Sequence, residues 1–216
     1  MDTGVTGTTP SRRGRRKPAD TKARIVTLTR NLIAHRGLAS IKARTVAREA
    51  DVSVGTIYNL FGHLDDLLRL ANAQTYESLH AHQTEALARA REAGASPDDQ
   101  LRALATAYLD WVGTHHALWS ATLAFNRERI GEAPDWYRAK EMALLSIIED
   151  ALGGFAAAPT DAERAVAARA LWASIHGVVS ISMGAREMLL PREDIEAQME
   201  WIVGPVADRL SRGPLA

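Results

Sequence analysis

Apolar residues along this chain recur at intervals of three and four, and no stretch alternates at two over the length of a strand. A period near 3.6 lines up one stripe of an α-helix, whereas a period of two lines up one face of a strand. The pattern therefore admits helix packed on helix, and the fold class is all-α. Breakers divide it. Asp20 is the expected N-cap of a first helix that buries Ile25, Leu28, Leu32 and Ile33 and runs to about Arg36, with Gly37 as its C′ residue. Two short helices follow, about 43–50 and 54–61, with "DVS" as the turn between them. After Gly62-His63, Leu64, Leu67, Leu68, Ala71, Thr75 and Leu79 mark a long helix to about Ala93. Ser96-Pro97, with Asp98 and Asp99 in the first turn, opens the next segment. Helices are then expected at about 97–113, 115–125, 134–153, 160–187 and 193–211. The spacing predicts about nine helices in all: a basic arm over 1–19, a three-helix head over 20–66, and a helical body over 67–216.

The charge is unevenly spread along this division. The chain of 216 residues carries no net charge, yet residues 1–62 hold twelve Lys/Arg against four Asp/Glu, a net of +8, and the remainder balances it at −8. A basic head on an acidic body suits a head that approaches a polyanion and a body that does not. There is no cysteine, which removes disulfides and thiolate metal sites and agrees with a reducing, cytoplasmic setting. The N-terminus lacks the apolar core of a secretory signal, and no apolar run reaches roughly 18 residues.

Two short helices joined by a three-residue turn, with a third before them, form a helix-turn-helix arrangement. In the second of the pair, Ile57, Leu60 and Phe61 face the core, while Val54, Gly55, Thr56, Tyr58 and Asn59 are free to face outward. Gly55 lets backbone approach closely, Thr56 and Tyr58 reach phosphate oxygens, and Asn59 reaches a base edge or the backbone. Arg44 and Thr45 open the preceding helix, where backbone N–H groups bind phosphate. A buried hairpin with a solvated outer face is the competing reading, and the basic balance of the head weighs against it. The arm's Arg15, Arg16 and Lys17 are candidates for minor-groove tracking, or are a solubilising tail.

"TVAREADVSVGTIYNLFGHLDDLL" (Thr45–Leu68) resembles the N-terminal signature of TetR-type transcriptional regulators: a Thr-Val opening, a turn ending in Val-Ser, a Gly-Thr-Ile-Tyr core, and Phe before an acidic helix start. The resemblance covers about fifty residues, Thr21 to Ala71. It implies a homodimer that binds a pseudo-palindromic operator in double-stranded DNA, most often as a repressor. It also implies a body that holds a small effector and is coupled to the head through the long helix from Leu64. There are two departures. Asp51 stands where the family has Gly, and Asp tolerates a left-handed turn at some cost. Leu64 stands where the family has a phosphate-contacting Lys; His63 and the free N–H groups beside it are left to hold that phosphate.

"LWASIHGVVSISMG" (Leu171–Gly184) resembles the Trp-x-x-x-His-Gly segment of one TetR C-terminal subgroup. This helix is apolar almost all round, so a burial partner is expected on each side. Gly177, Ser180, Ile181 and Gly184, with Met199, Ile202 and Val206 of the last helix, are the candidate dimer interface; intrachain core is the alternative. The candidate effector pocket draws on Trp111, His115, Trp119, Phe125, Trp136, Met142, Trp172 and His176, a set suited to a small hydrophobic or amphipathic molecule. For most of these, ordinary core packing is the expected role, and for His176 that of a buried, satisfied histidine.

Two rival classes remain. Catalysis finds no support: HExxH, P-loop, GxGxxG and nucleophile-elbow patterns are absent, and His80/His82 and His115/His116 are too close in sequence to share a helix face as metal ligands. No cofactor or metal is expected. A non-sequence-specific architectural DNA-binding protein is the other, and the acidic body argues against it.

Overall fold

The computed structural model describes residues 18–129, 133–155, 160–184 and 190–212. These residues form eight α-helices and no strand: α1 (Pro18–Arg36), α2 (Ala43–Ala50), α3 (Val54–Phe61), α4 (Leu64–Glu92), α5 (Pro97–Glu128), α6 (Asp135–Leu152), α7 (Asp161–Gly184) and α8 (Arg192–Arg212), with one 3₁₀ turn at Leu38–Ser40. α1 begins two residues before the expected Asp20 cap. Asp20 sits in the first turn instead, where a carboxylate meets the positive end of the helix dipole.

The count is eight, not nine, because the segments expected at 97–113 and 115–125 are one helix. The break falls where it was expected but as a kink: His115 leaves helical geometry at φ −122°, ψ 23°. Thr114 Oγ1 donates to the carbonyls of Asp110 (3.2 Å) and Trp111 (3.0 Å), so the bend does not strand them. The His115 ring stacks on Trp111 at 4.5 Å.

Two apolar clusters result. The head cluster joins Ile25 and Ile33 of α1, Val46 and Ala50 of α2, Ile57 and Phe61 of α3, and Leu67 and Leu68 of α4. Ile57 has no exposed surface; full burial of a side chain of this size contributes about 1.5–3 kcal/mol. Arg24 Nη2 caps the end of α2 by donating to the Ala50 carbonyl at 2.8 Å. Leu118, Ala121 and Phe125 also belong to this cluster. Beyond the kink α5 therefore serves both clusters, Leu118, Ala121 and Phe125 packing with the head and Trp119 and Leu123 with the body, whereas the part before the kink packs in the body alone.

Among the described helices, α7 is long and apolar enough by length and composition to cross a membrane. Its Ala168, Leu171, Ile175 and Val179 are buried in the body cluster, which accounts for that face by core packing. The expectation of burial on all sides does not hold within one chain: Val166 is 67% and Ile181 53% exposed.

Candidate DNA-binding surface and ligand cavity

The turn between α2 and α3 is set by two residues. Asp51 adopts the left-handed conformation, φ 55° and ψ 50°, and its N–H closes the end of α2. Ser53 is the N-cap of α3: its Oγ accepts from the Thr56 N–H at 3.0 Å and lies 2.9 Å from the Thr56 hydroxyl. Thr56 is thus engaged in the cap, and Ser53 is a structural residue that the turn "DVS" concealed, although a serine three residues before a helical Thr is a legible cap signal. Ile57 and Phe61 anchor the helix from within. Gly55 and Asn59 are exposed, and Tyr58 is 49% exposed. Val54 is half-buried against the head cluster and so does not share their outward face.

Around α3, Arg44 is exposed and Thr45 half-buried in the first turn of α2. His63 is exposed at the N-cap of α4, with no side-chain cap. Gly62 makes this junction possible, with φ at 77°. Leu64 turns toward the head cluster. Both acids of the first turn are paired: Asp65 with Arg129 and Asp66 with Arg69. Arg15, Arg16 and Lys17 lie outside the described residues.

In the body, the eight pocket candidates separate. Trp111 is buried core, donating from Nε1 to Ser78 Oγ at 3.2 Å and stacking on His115. Phe125 belongs to the head cluster, not to a body cavity, and lies under the Arg129 guanidinium. Trp136 is 43% exposed and lines no described cavity. His115 stays with Trp111 at the kink and lines neither body cavity, whereas Trp119, Met142 and His176 gather around Trp172. Its ring stacks parallel on His176 at 5.0 Å, and it forms a wall of two cavities. One, between Tyr108, Leu171, Ile175 and Val203, has about 40 Å³, room for little more than water. The other lies between α4, α5, α6 and α7 and has about 350 Å³. Trp119, Leu123, Met142 and Trp172 line it together with Tyr76, Asn126 and Glu141.

The polar groups of these walls are bonded to each other. Asn126 Nδ2 donates to Tyr76 Oη (2.6 Å) and Glu141 Oε1 (2.8 Å); Tyr76 Oη donates to the same Oε1 (2.8 Å), and Tyr137 Oη to Asn126 Oδ1 (2.9 Å). Burial, with the Glu141 carboxylate beside it, pushes the Tyr76 phenol far above its ordinary range, so it stays a donor. Behind Trp119, its Nε1 donates to Tyr108 Oη at 2.8 Å, and that hydroxyl lies 2.6 Å from His176 Nδ1. Burial lowers the His176 pKa. The links of Tyr76 to Glu141 and Asn126, and of Tyr108 to His176, span 50 to 68 residues of sequence, which no local pattern reveals.

Of the expected interface residues, Met199 is only 4% exposed and belongs to the chain's own core. Ile202 and Val206 are half-buried against that core. Gly177 and Ser180 are half-buried, with the Ser180 hydroxyl 3.1 Å from His176 Nδ1; Ile181 faces out, and Gly184 closes α7. The large exposed apolar side chains of these two helices are Val166, Ile181 and Trp201, the last 83% exposed. On α8, Met199 thus takes the core alternative, Ile202 and Val206 keep part of their surface exposed, and Trp201, set beside them, faces out.

No curated protein sequence matches the chain. Among solved structures it superposes on a transcriptional regulator from Rhodococcus sp. Rha1 with TM-score 0.66 at 20% identity, over 87% of this chain and 96% of that one. A TetR-family transcriptional regulator from Streptomyces coelicolor gives 0.62 at 21%, over 89% and 97%. The multidrug binding protein EbrR, complexed with imidazole, gives 0.62 at 24%, over 90% and 96%. At these identities the likeness establishes the fold. Family profiles add the two halves: residues 25–71 match "Bacterial regulatory proteins, tetR family", and residues 101–204 match "Tetracyclin repressor-like, C-terminal domain". The head that carries α2 and α3 therefore matches the N-terminal domain of the TetR family, and the body that carries the cavity matches a TetR-type C-terminal domain.

Proposed function

We propose that this chain is an effector-responsive repressor, acting in the cytoplasm, that binds a pseudo-palindromic DNA operator as a homodimer. The observation that carries the reading is the outward face of α3. Gly55, Tyr58 and Asn59 stand free on a helix whose other side is locked by Ile57, Phe61 and the Ser53 cap. A short, rigid helix with a small, hydrogen-bonding face suits entry to a major groove. Tyr58 serves phosphate contact and Asn59 a base edge, with Arg44, Thr45 and His63 positioning the head on the backbone.

Val166, Ile181 and Trp201 support the dimer, because apolar side chains this exposed on two adjacent helices suit a partner surface. A two-fold assembly places two heads about one DNA turn, roughly 34 Å, apart. EbrR is a multidrug binding protein of similar fold, which supports a small molecule as the occupant of the α4–α7 cavity. Effector and operator would then oppose each other reciprocally.

The test is selection of bound sequences from a random duplex pool, followed by titration of the winner at two salt concentrations. An enriched palindrome bound by two chains is the expected result. Binding without enrichment that vanishes as salt rises would favour the architectural alternative.

A further inference from the structure

The cavities of the body differ in whether their charges are already matched. In the groove between α5, α7 and α8, Arg192 meets Asp110 at 2.5 Å. In the cleft between α5 and α8, Glu200 is held by Arg102 through two hydrogen bonds. In the 350 Å³ cavity, Glu141 has no ion-pair partner among the described residues. The neighbouring Lys140 is turned to Glu77, 2.7 Å away. Both hydrogen bonds to Glu141 fall on Oε1, from the neutral donors of Tyr76 and Asn126. A carboxylate is therefore held in place, unneutralised, in a wall otherwise built from Trp119, Leu123, Leu144, Met142 and Trp172.

We propose that this cavity binds a monovalent organic cation with an aromatic or branched apolar body, its charge set against Glu141 and its body against Trp119 and Trp172. The inference rests on the effector-responsive reading above and names the chemical class of the effector. The volume is that of a site for a compact drug-sized molecule. A neutral ligand of that size would cover the carboxylate without matching it, and burying an unmatched charge is costly. An anion would be repelled outright. A cation satisfies the carboxylate and gains attraction from the indole rings. Selection here is thus by penalty against the other two charge types as much as by attraction.

The same geometry supplies the coupling. Trp119, Leu123 and Asn126 stand on α5 beyond the His115 kink, the part whose Leu118, Ala121 and Phe125 pack with the head. Tyr76 stands on α4, whose first turns carry Leu67 and Leu68 into the same cluster. A cation at Glu141 competes with the Tyr76 and Asn126 donors and so acts on both helices that enter the head.

The experiment titrates the full-length protein, without DNA, with tetraphenylphosphonium and separately with tetraphenylborate, followed by tryptophan fluorescence and calorimetry. The two probes share a shell of four phenyl groups and differ in the sign of charge. The phosphonium should bind at least about tenfold more tightly, and Glu141→Gln should remove about tenfold or more of that affinity. Should Glu141→Gln fail to fold, Met142→Lys decides. That residue is 44% exposed in the cavity wall, and its added charge should repel the phosphonium. Equal binding of the two probes overturns the proposal, as does phosphonium affinity that neither variant changes. Each preparation is also scored on the selected operator. Operator binding without phosphonium binding sinks the cation site alone, and phosphonium binding without an operator sinks the regulatory reading while leaving the site.

Discussion

Arg129, the residue that ends α5, grips Asp65 in the first turn of α4 through two hydrogen bonds, Nε to Oδ2 at 2.7 Å and Nη2 to Oδ1 at 3.1 Å. Its guanidinium also lies 4.3 Å from the Phe125 ring centroid. The pair ties the start of one head-to-body helix to the end of the other, beside the exposed His63. It raises the Arg129 pKa, chiefly through the Asp65 hydrogen bonds. Both side chains keep some solvent contact, 26% and 37%, so the pair is worth only about 0.5–1 kcal/mol of stability. A double-mutant cycle of Asp65→Asn and Arg129→Met, read by urea unfolding, should return a coupling of that size. If the pair also sets the angle of the head, each single variant should weaken operator binding more than it weakens stability. Parallel losses would reduce it to a surface ion pair.

What could be read from the sequence, and what could not, follows the range of the interactions. Helix periodicity and caps are local, so the all-α class, the α2–turn–α3 unit and the Pro97 start were legible residue by residue. The kink at 115 was legible as a break; that the helix continues through it depends on Thr114 reaching back to Asp110 and Trp111. The assignment of Phe125 to the head, the inward turn of Met199 and the Tyr76–Glu141–Asn126 cluster depend on helices 50 or more residues apart. An apolar stripe says that a side is buried but not by what. That is why Met199, expected at the dimer interface, lies in the chain's own core.

The outward face of α3 separates fold from function. An added Cβ at Gly55 would meet only Ser53 Oγ, at 3.6 Å. Gly55→Ala should therefore stabilise the free protein by about 0.5–1 kcal/mol through helix propensity, yet weaken operator binding by crowding the groove. Tyr58→Ala should weaken binding to all duplexes alike, as loss of a phosphate contact does. Asn59→Ala should relax preference at one base step, at a cost of about 1–3 kcal/mol on the preferred sequence. Competition binding over a set of single-base operator variants reads all three. An unchanged preference profile for Asn59→Ala would remove that residue from base readout.

Asp51 pays a backbone cost at the turn. Its left-handed conformation is one that glycine adopts freely and an L-residue does not. The side chain is exposed, so its removal loses little packing. Against the relief stands the greater freedom glycine has in the unfolded chain. The net for Asp51→Gly should be a gain of up to about 1 kcal/mol, seen as a higher urea midpoint at unchanged slope. A loss of stability would mean that the aspartate side chain holds the turn in some way other than by its backbone.

His176 makes stability depend on pH. Burial lowers its pKa below the ordinary 6.5, so the folded chain prefers the neutral ring. That preference is fully present above the unfolded value of 6.5 and is lost as pH falls through the lower folded value, because the unfolded chain takes up the proton first. With seven histidines in the chain, the raw pH profile mixes several contributions. The difference between the parent and His176→Gln isolates this one. The variant loses the ring's contacts with Tyr108 and Trp172 at every pH, which adds a constant offset. On top of that offset, the advantage of the parent should be level above about pH 7 and shrink as pH falls below about 6.5. Melting temperatures of both proteins across that range give the curve. A difference that stays level throughout would mean that His176 accepts its proton as readily in the folded chain as in the unfolded one.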